Sequence, residues 1–303
     1  MARKRKSNPF KTAHYKKEVL TKKTAKEIKK IYAESAKDIK KELRSLKMIT
    51  PSDNLKKVYL ENMLRRIERS SASLSRSLEG TIISASERSG QLAVDAGNRV
   101  MKNAGLEIKG AYSYVPRQEV QNIVSGRLYG NNWSLSKSIW NSRAKNKSDL
   151  ERIVAKGLTE NKSIKSIADD LEKYVDPSAR KPWDWSKVYP GTSAKVDYNA
   201  QRLARTMIQH SFQQSMVQSQ RYNPFCSGII WHSEMIEGRT CELCEDRDGQ
   251  VFPVNDLPLD HPNGLCYFEP ALDDMDAIAD RLADWVEGEP DEDIELYIEN
   301  AFE

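Results

Sequence analysis

Cys241, Cys244, His261 and Cys266 are the residues of this chain whose types and spacing bear most directly on chemistry. They read as a C-x2-C pair, a gap of sixteen residues, a histidine, a gap of four residues and a final cysteine. Two cysteines separated by two residues aim both sulfurs at one point on a tight turn. A returning hairpin can bring a histidine and a third cysteine to the same point. Zinc accepts such a Cys3His set, at about 2.3 Å to sulfur and about 2.0 Å to nitrogen; four protein ligands close the tetrahedron and make the site structural. Two other readings stay open at this point, an unmetallated knot of thiols and a disulfide or redox pair. The redox reading lacks a surrounding βαβ pattern of the thioredoxin kind. Cys226 and His232 lie outside the spacing and read as a buried small residue and a strand residue, though either can substitute as a ligand.

The elements that must position these residues follow from local pattern. Ile229-Ile230-Trp231 reads as a short strand and Gln250-Val251-Phe252 as a second, with Asp248-Gly249 as the turn signal before it. A long helix from about Ala194 to Tyr222 precedes them, with Leu203, Met207, Ile208, Phe212 and Met216 inward. Arg202 and Arg205 read as structural residues of that helix, and His210 as a satisfied polar residue. Upstream, Asp176 to Gly191 is a long loop rich in Pro, whose Trp183, Trp185 and Tyr189 pin it to its own domain or offer a stacking platform for bases. Asp149 to Leu158 is a helix, followed by a turn and a helix capped by Ser163 that carries Ile164, Ile167, Ala168 and Leu171.

The first half reads as helix. Ile28, Ile31, Tyr32, Ala36, Ile39, Leu43 and Leu46 make one stripe between Thr24 and Lys47. Thr50-Pro51-Ser52-Asp53 breaks it, and Leu55, Tyr59, Met63, Ile67, Leu74 and Leu78 resume at helical spacing. Gly80, Gly90, Gly97 and Gly105 weaken the next stretch. Tyr112 to Pro116 reads as a short extended segment, and Glu119–Leu128 and Leu135–Arg143 as short helices. The expected class is mainly α with a small β-hairpin in a zinc-stabilised C-terminal module, an α+β protein. Its expected organisation is a basic helical region 1–147, a helical run-up 148–222, a Cys/His hairpin module 223–270 and acidic helices 271–303.

Charge is segregated along the 303 residues. Residues 1–50 hold 17 Lys and Arg against 5 Asp and Glu, a net of +12, whereas residues 251–303 hold one Arg against 16 acids, a net of −15. A basic end suits nucleic acid or an acidic protein surface, and Arg3, Lys4, Arg5, Lys6, Lys16, Lys17, Lys22 and Lys23 are the residues expected to make that contact. At the acidic end, Ile294, Tyr297, Ile298, Ala301 and Phe302 form one apolar stripe on a helix that starts near Asp291. Such a short helix is marginal alone in water. Its stripe must dock, either on this chain's own domain or in a partner's groove, with Ile294, Tyr297, Ile298 and Phe302 as the contacts. Gly288-Glu289-Pro290 reads as a hinge before it. No apolar run approaches a membrane span, no apolar segment of secretory type follows the basic start, and neither a phosphate loop nor a nucleophile elbow is present.

Trp231, Thr240-Cys241-x-x-Cys244, Asp248-Gly249, Val251-Phe252 and His261-Pro262-Asn263 together resemble the C-terminal module of the phage head morphogenesis family, the minor head proteins similar to protein F of phage Mu. The likeness covers about residues 150–270, with its motif core at about 228–270. Where the family often ends in His-Pro-x-Cys-x-Cys, this chain has Gly264 at the first of those cysteines and keeps only Cys266. The resemblance implies a non-enzymatic, virion-associated protein of a tailed phage, made in the host cytoplasm and placed inside the head near the portal. It further implies a portal protein as partner, with packaged DNA and capsid or scaffolding protein as others, and a role in head assembly or in DNA packaging and ejection. Two rival readings are a zinc-supported nuclease of the His-Asn-His kind, drawn from Asp260-His261 beside the C-x2-C, and a DNA-binding protein with a zinc ribbon. The first has no further His downstream of His261, and Asn263 is too close to serve as its later Asn; the second lacks a further ligand pair.

Overall fold

The computed structural model describes residues 8–44, 53–129, 135–160, 162, 164–176, 196–236 and 240–302. It is an α+β protein, mainly helical, with one small antiparallel sheet. The expected loop after Asp176, with Trp183, Trp185 and Tyr189, lies outside the described residues, as do Arg3, Lys4, Arg5 and Lys6. Among the described residues no helix is long and apolar enough to cross a membrane.

The chain divides into two compact units that interleave in sequence. One comprises Met1–Lys22, Ile83–Leu128 and Ala204–Glu303, the other Lys23–Ile82 and Tyr129–Leu203. The helices α1 (Pro9–Arg44) and α2 (Asp53–Asn103) contribute to both. The unit built on Lys23–Ile82 and Tyr129–Leu203 is helical. Ile28, Tyr32, Ala36 and Ile39 of α1 are buried, as are Met63, Ile67, Leu74 and Leu78 of α2, following the stripes expected from spacing. α4 (Leu135–Thr159) packs against α5 (Ile164–Val175), and the buried Tyr174 hydroxyl donates to Asp149 at 2.6 Å. Ion pairs fasten the outside: Lys40 of α1 meets Asp169 at 3.0 Å and also Glu172, and Glu68 of α2 meets Arg143 at 2.7 Å and also Lys147. The helix break expected between Arg143 and Asp149 is absent. α4 runs through it, because Ile139, Leu150, Ile153 and Val154 share one buried stripe.

The unit that carries the Cys/His residues holds the sheet. Its strands are β1 (Cys226–His232), β2 (Val251–Phe252) and β3 (Tyr267–Leu272), in the order β2-β1-β3. The expected hairpin is therefore two thirds of a three-stranded sheet. β3 escapes the sequence pattern because it mixes Glu269 and Pro270 into a short apolar alternation. Ile229 pairs with Phe252 on one side and with Pro270 on the other, and Trp231 with Phe268. The rings of Trp231 and Phe268 meet edge to face at 4.9 Å. The inward face of the sheet packs on Phe10 and Ala13 of α1, Ala93 and Ala96 of α2, and Phe212 and Met216 of α6 (Val196–Gln220).

α2 stays helical through its glycines for a packing reason. A side chain at Gly90 would place Cβ 2.4 Å from the Ser215 hydroxyl, and one at Gly97 would meet Gln220 at 2.8 Å. At Gly90 and Gly97, α2 runs close against side chains of α6. Along this contact the Ser89 hydroxyl donates to the Ile208 carbonyl at 2.8 Å and the Ser211 hydroxyl to that of Ser86 at 2.7 Å. Each glycine lowers helix propensity by about 1 kcal/mol relative to alanine, and the close seam offsets that cost.

The segment from Tyr112 to Pro116 is a turn leading into α3 (Val115–Ser125), not an extended strand. Pro116 is at the start of that helix, where a missing N–H costs nothing. Tyr112 adopts a left-handed φ of 56° and is tied to the C-terminus: its N–H donates to Ala301 O at 2.6 Å and its hydroxyl to Tyr297 O at 2.9 Å.

α8 (Met275–Val286) and α9 (Glu292–Glu299) complete the unit, after the short α7 (Glu242–Arg247) between β1 and β2. Asp291 caps α9 by accepting from Ile294 N–H at 3.1 Å, and Arg281 grips the same carboxylate at 2.6 and 2.9 Å across the Gly288 turn. Ile294, Tyr297 and Ala301 are buried against Val94 and Met101 of α2, Tyr112, Phe225, Ile278 and Leu282, with Ile298 packed at the edge. Of the two dockings open to Ile294, Tyr297 and Ile298, the structure has the one on the chain's own unit. The stripe is used internally because this unit's own helices supply a complementary apolar face, and of the four residues only Phe302 is exposed.

Candidate metal centre

Three short elements bring the Cys/His residues together. Cys241 is the N-cap position of α7, and its carbonyl accepts from the N–H groups of Cys244 at 2.9 Å and Glu245 at 3.0 Å. One helical turn thus carries the C-x2-C pair. Gly249, at φ 75°, then returns the chain to β2, and its N–H donates to Trp231 O at 2.8 Å. The loop from Leu259 to Cys266 brings His261 and Cys266 back before β3 begins.

The sulfur and nitrogen donors of Cys241, Cys244 and His261 lie within 4.8 Å of one another. The Cys266 sulfur is 3.5 Å from that of Cys244. All four cysteines are free thiols, so the disulfide reading does not apply to this structure. Cys244 and Cys266 are buried, Cys241 is exposed and His261 is half-buried. The cluster therefore runs from the core to the surface, where a cavity of about 150 Å³ opens between Glu234, Thr240, His261 and Asn263. Burial pushes the thiols of Cys244 and Cys266 up, and the Asp260 carboxylate raises Cys266 further. Buried thiols in this state are protonated at neutral pH. A bound cation inverts that preference, since metal coordination deprotonates a thiol outright. Thiols with one imidazole are donors of the kind that hold soft divalent metals. Cys241, Cys244, His261 and Cys266 lie close enough together to hold a metal ion.

Cys226 and His232 stay outside the cluster. The Cys226 thiol bonds to Gly228 O at 3.2 Å, and His232 stacks on Tyr267 at 4.5 Å. His210 is a satisfied polar residue, bonded to the Asp260 carbonyl at 2.9 Å. Arg205 reaches Asn263, whose N–H donates to Thr206 at 2.9 Å and whose φ is 70°.

Several supporting residues carry no motif. The Ser233 hydroxyl donates to the Cys244 carbonyl at 2.5 Å and accepts from the Trp231 indole at 3.2 Å, while the Ser233 N–H donates to the Asp248 carboxylate at 2.7 Å. From α6, Gln213 accepts from Asp260 N–H at 3.0 Å and donates to Pro258 O at 2.6 Å. Gln209 donates to Asp260 at 2.8 Å and to the Cys266 carbonyl at 2.5 Å. No spacing or motif in the sequence marks these residues. His14 of α1 joins Glu234 at 2.8 Å beside the cavity.

Lys17 corrects an expectation. Charge counting groups it with the surface cations, but it is 1% exposed, bonded to Gln209, 3.3 Å from Glu18 and over the Phe212 ring. It faces inward because position 17 falls on the stripe of Phe10, Ala13 and Thr21, where α1 covers the sheet and α6. Lys16, Lys22 and Lys23 are exposed.

No family model, no curated protein and no solved structure matches the chain. The likeness to the phage head proteins rests on the residues named for it.

Proposed function

We propose that this chain is a minor head protein of a tailed bacteriophage. In this reading a structural zinc is held by Cys241, Cys244, His261 and Cys266, and the protein belongs inside the head near the portal. The observation that carries it is the convergence of the C-x2-C pair, His261 and Cys266 on one place in an α+β unit, in the order and spacing that the family resemblance names. Zinc held by these residues would supply a cross-link between α7 and the Leu259–Cys266 loop. Ser233, Gln209 and Gln213 hold the backbone on either side of that cross-link. Exposed Lys16, Lys22 and Lys23, with Lys26, Lys29 and Lys30 further along α1, give the basic surface that would meet DNA or an acidic face of the portal, capsid or scaffold. The reading is tested by co-expressing the chain with the portal protein of the same genome. Stable co-purification of the two, and recovery of the chain in assembled heads, is the expected result. A chain found only free of portal and heads contradicts it.

The rival reading, a zinc-supported nuclease, has one observation for it and one against it. The cavity at the mouth of the cluster is lined by His261 and Glu234. Since His261 is grouped with Cys241 and Cys244 as a donor, it cannot serve at the same time as a free general base. Metal-dependent cleavage of plasmid DNA that is lost in His261→Ala, with the fold retained, would favour the nuclease.

A further inference from the structure

Asp260 belongs to a second triad of donors that the C-x2-C and histidine pattern does not name. One of its carboxylate oxygens and the sulfurs of Cys244 and Cys266 lie within 4.8 Å of one another, and all three residues are buried. This triad shares Cys244 with the triad of Cys241, Cys244 and His261. His261 lies toward the surface and Asp260, at 2% exposed, forms the floor.

The carboxylate is held in place from several directions. Its backbone N–H is fixed by Gln213 and its carbonyl by His210. One oxygen accepts from Gln209 and the other from His261 N–H, both at 2.8 Å. It lies directly over Gly264: a Cβ there would be 2.1 Å from one oxygen and 2.5 Å from the other. Any side chain at position 264, a cysteine included, would displace it. The missing thiolate and the buried carboxylate are thus alternatives for the same space.

Charge gives this a chemical meaning. Burial against two thiols disfavours the charged form of this carboxylate unless a cation compensates. Lys17 gives part of that compensation at a distance, through the Gln209 amide that bonds both groups. A divalent ion between Asp260, Cys244 and Cys266 would give it directly, and zinc accepts carboxylate oxygen as well as imidazole nitrogen. We propose that Asp260 is an alternative metal ligand in this chain, so that a metal held by the three thiolates can take its fourth donor from the buried floor in place of His261 at the mouth. The proposal rests on the metal reading above.

The test uses the full chain and Co2+ alone as probe, because thiolate-to-cobalt absorption reports the sulfurs and the visible bands report coordination number. Wild type and His261→Ala should each bind about one Co2+ in a four-coordinate spectrum, while His261→Ala combined with Asp260→Ala should lose it. Added imidazole should leave the His261→Ala spectrum unchanged, since Asp260 already fills the position. Loss of cobalt in His261→Ala, with helicity retained, would overturn the proposal. So would restoration of the wild-type spectrum by imidazole, which would show a vacated position open to solvent. The double variant's fold is checked by circular dichroism, and the imidazole experiment decides the matter even if that variant unfolds. Absence of cobalt binding in the wild type would instead overturn the metal reading itself, and the proposal with it.

Discussion

The loop from Leu259 to Cys266 and the helix α9 are both laid against longer helices of the same unit, and they are held there by opposite means. α9 buries Ile294, Tyr297 and Ala301 in an apolar cluster, with the Asp291 cap and the Arg281 grip at its start and Tyr112 bonded to its far end. The loop buries few apolar side chains. It is suspended from α6 by Thr206, Gln209, His210 and Gln213, and it presents Asp260, His261 and Cys266 to the C-x2-C turn. Apolar docking is non-directional and roughly proportional to area. Polar suspension is directional, and its net worth per bond is only about 0.5–1.5 kcal/mol. A segment of the second kind gains most from a cross-link, and the metal would supply one.

The comparison can be broken most severely at Cys244. In Cys244→Ser the metal should be lost, and with it an interaction worth about 10–16 kcal/mol in small zinc peptides. Because Cys244 and Cys266 share a core with Phe212, Trp231 and Phe268, the damage should spread through the sheet and its covering helices. Thermal melts with and without chelator should show a large drop for the wild type and none for the variant. A smaller effect is expected at the other segment. Tyr297→Ala should cost about 3–5 kcal/mol by removing a fully buried aromatic, and denaturant titration should return the same loss whether or not metal is present.

Acid should act next. Burial holds His14 down to about 3 and His210 down to about 4. The unfolded chain takes up these protons near pH 6.5 and the folded chain does not, so stability is full above pH 6.5 and falls as pH drops toward 4. The loss should reach a few kcal/mol, because each tenfold weakening of proton binding on folding corresponds to about 1.4 kcal/mol before offsetting interactions. Denaturant midpoints at successive pH values check this. The smallest effect on stability belongs to the exposed lysines. Lys22→Ala with Lys23→Ala should change unfolding by no more than about 0.5 kcal/mol. The same pair should weaken binding to a polyanion and flatten its salt dependence.

What is legible in the sequence divides along the same line. Apolar period locates α1, α2, α6 and α9, because burial of Ile28, Met63, Phe212 or Ile294 leaves a three-and-four spacing in the chain. Ligand spacing locates Cys241, Cys244, His261 and Cys266. Residues whose roles are set by long-range polar bonds leave no such trace. Ser233, Gln209 and Gln213 are ordinary polar residues until the fold brings Asp260 and Cys266 to them. Lys17 is misplaced by a count of charge, which does not say which cations a helix turns inward. Gly90 and Gly97 weaken a helix on propensity, and only the approach of Ser215 and Gln220 explains their presence.

The central claim, a metal cross-link between the C-x2-C turn and the Leu259–Cys266 loop, is tested most directly by elemental analysis of the full chain purified without chelator. The account predicts about one zinc per folded chain, retained through dialysis and absent from Cys244→Ser. A well-folded wild-type preparation that carries no metal, and binds none when zinc is returned, would contradict it.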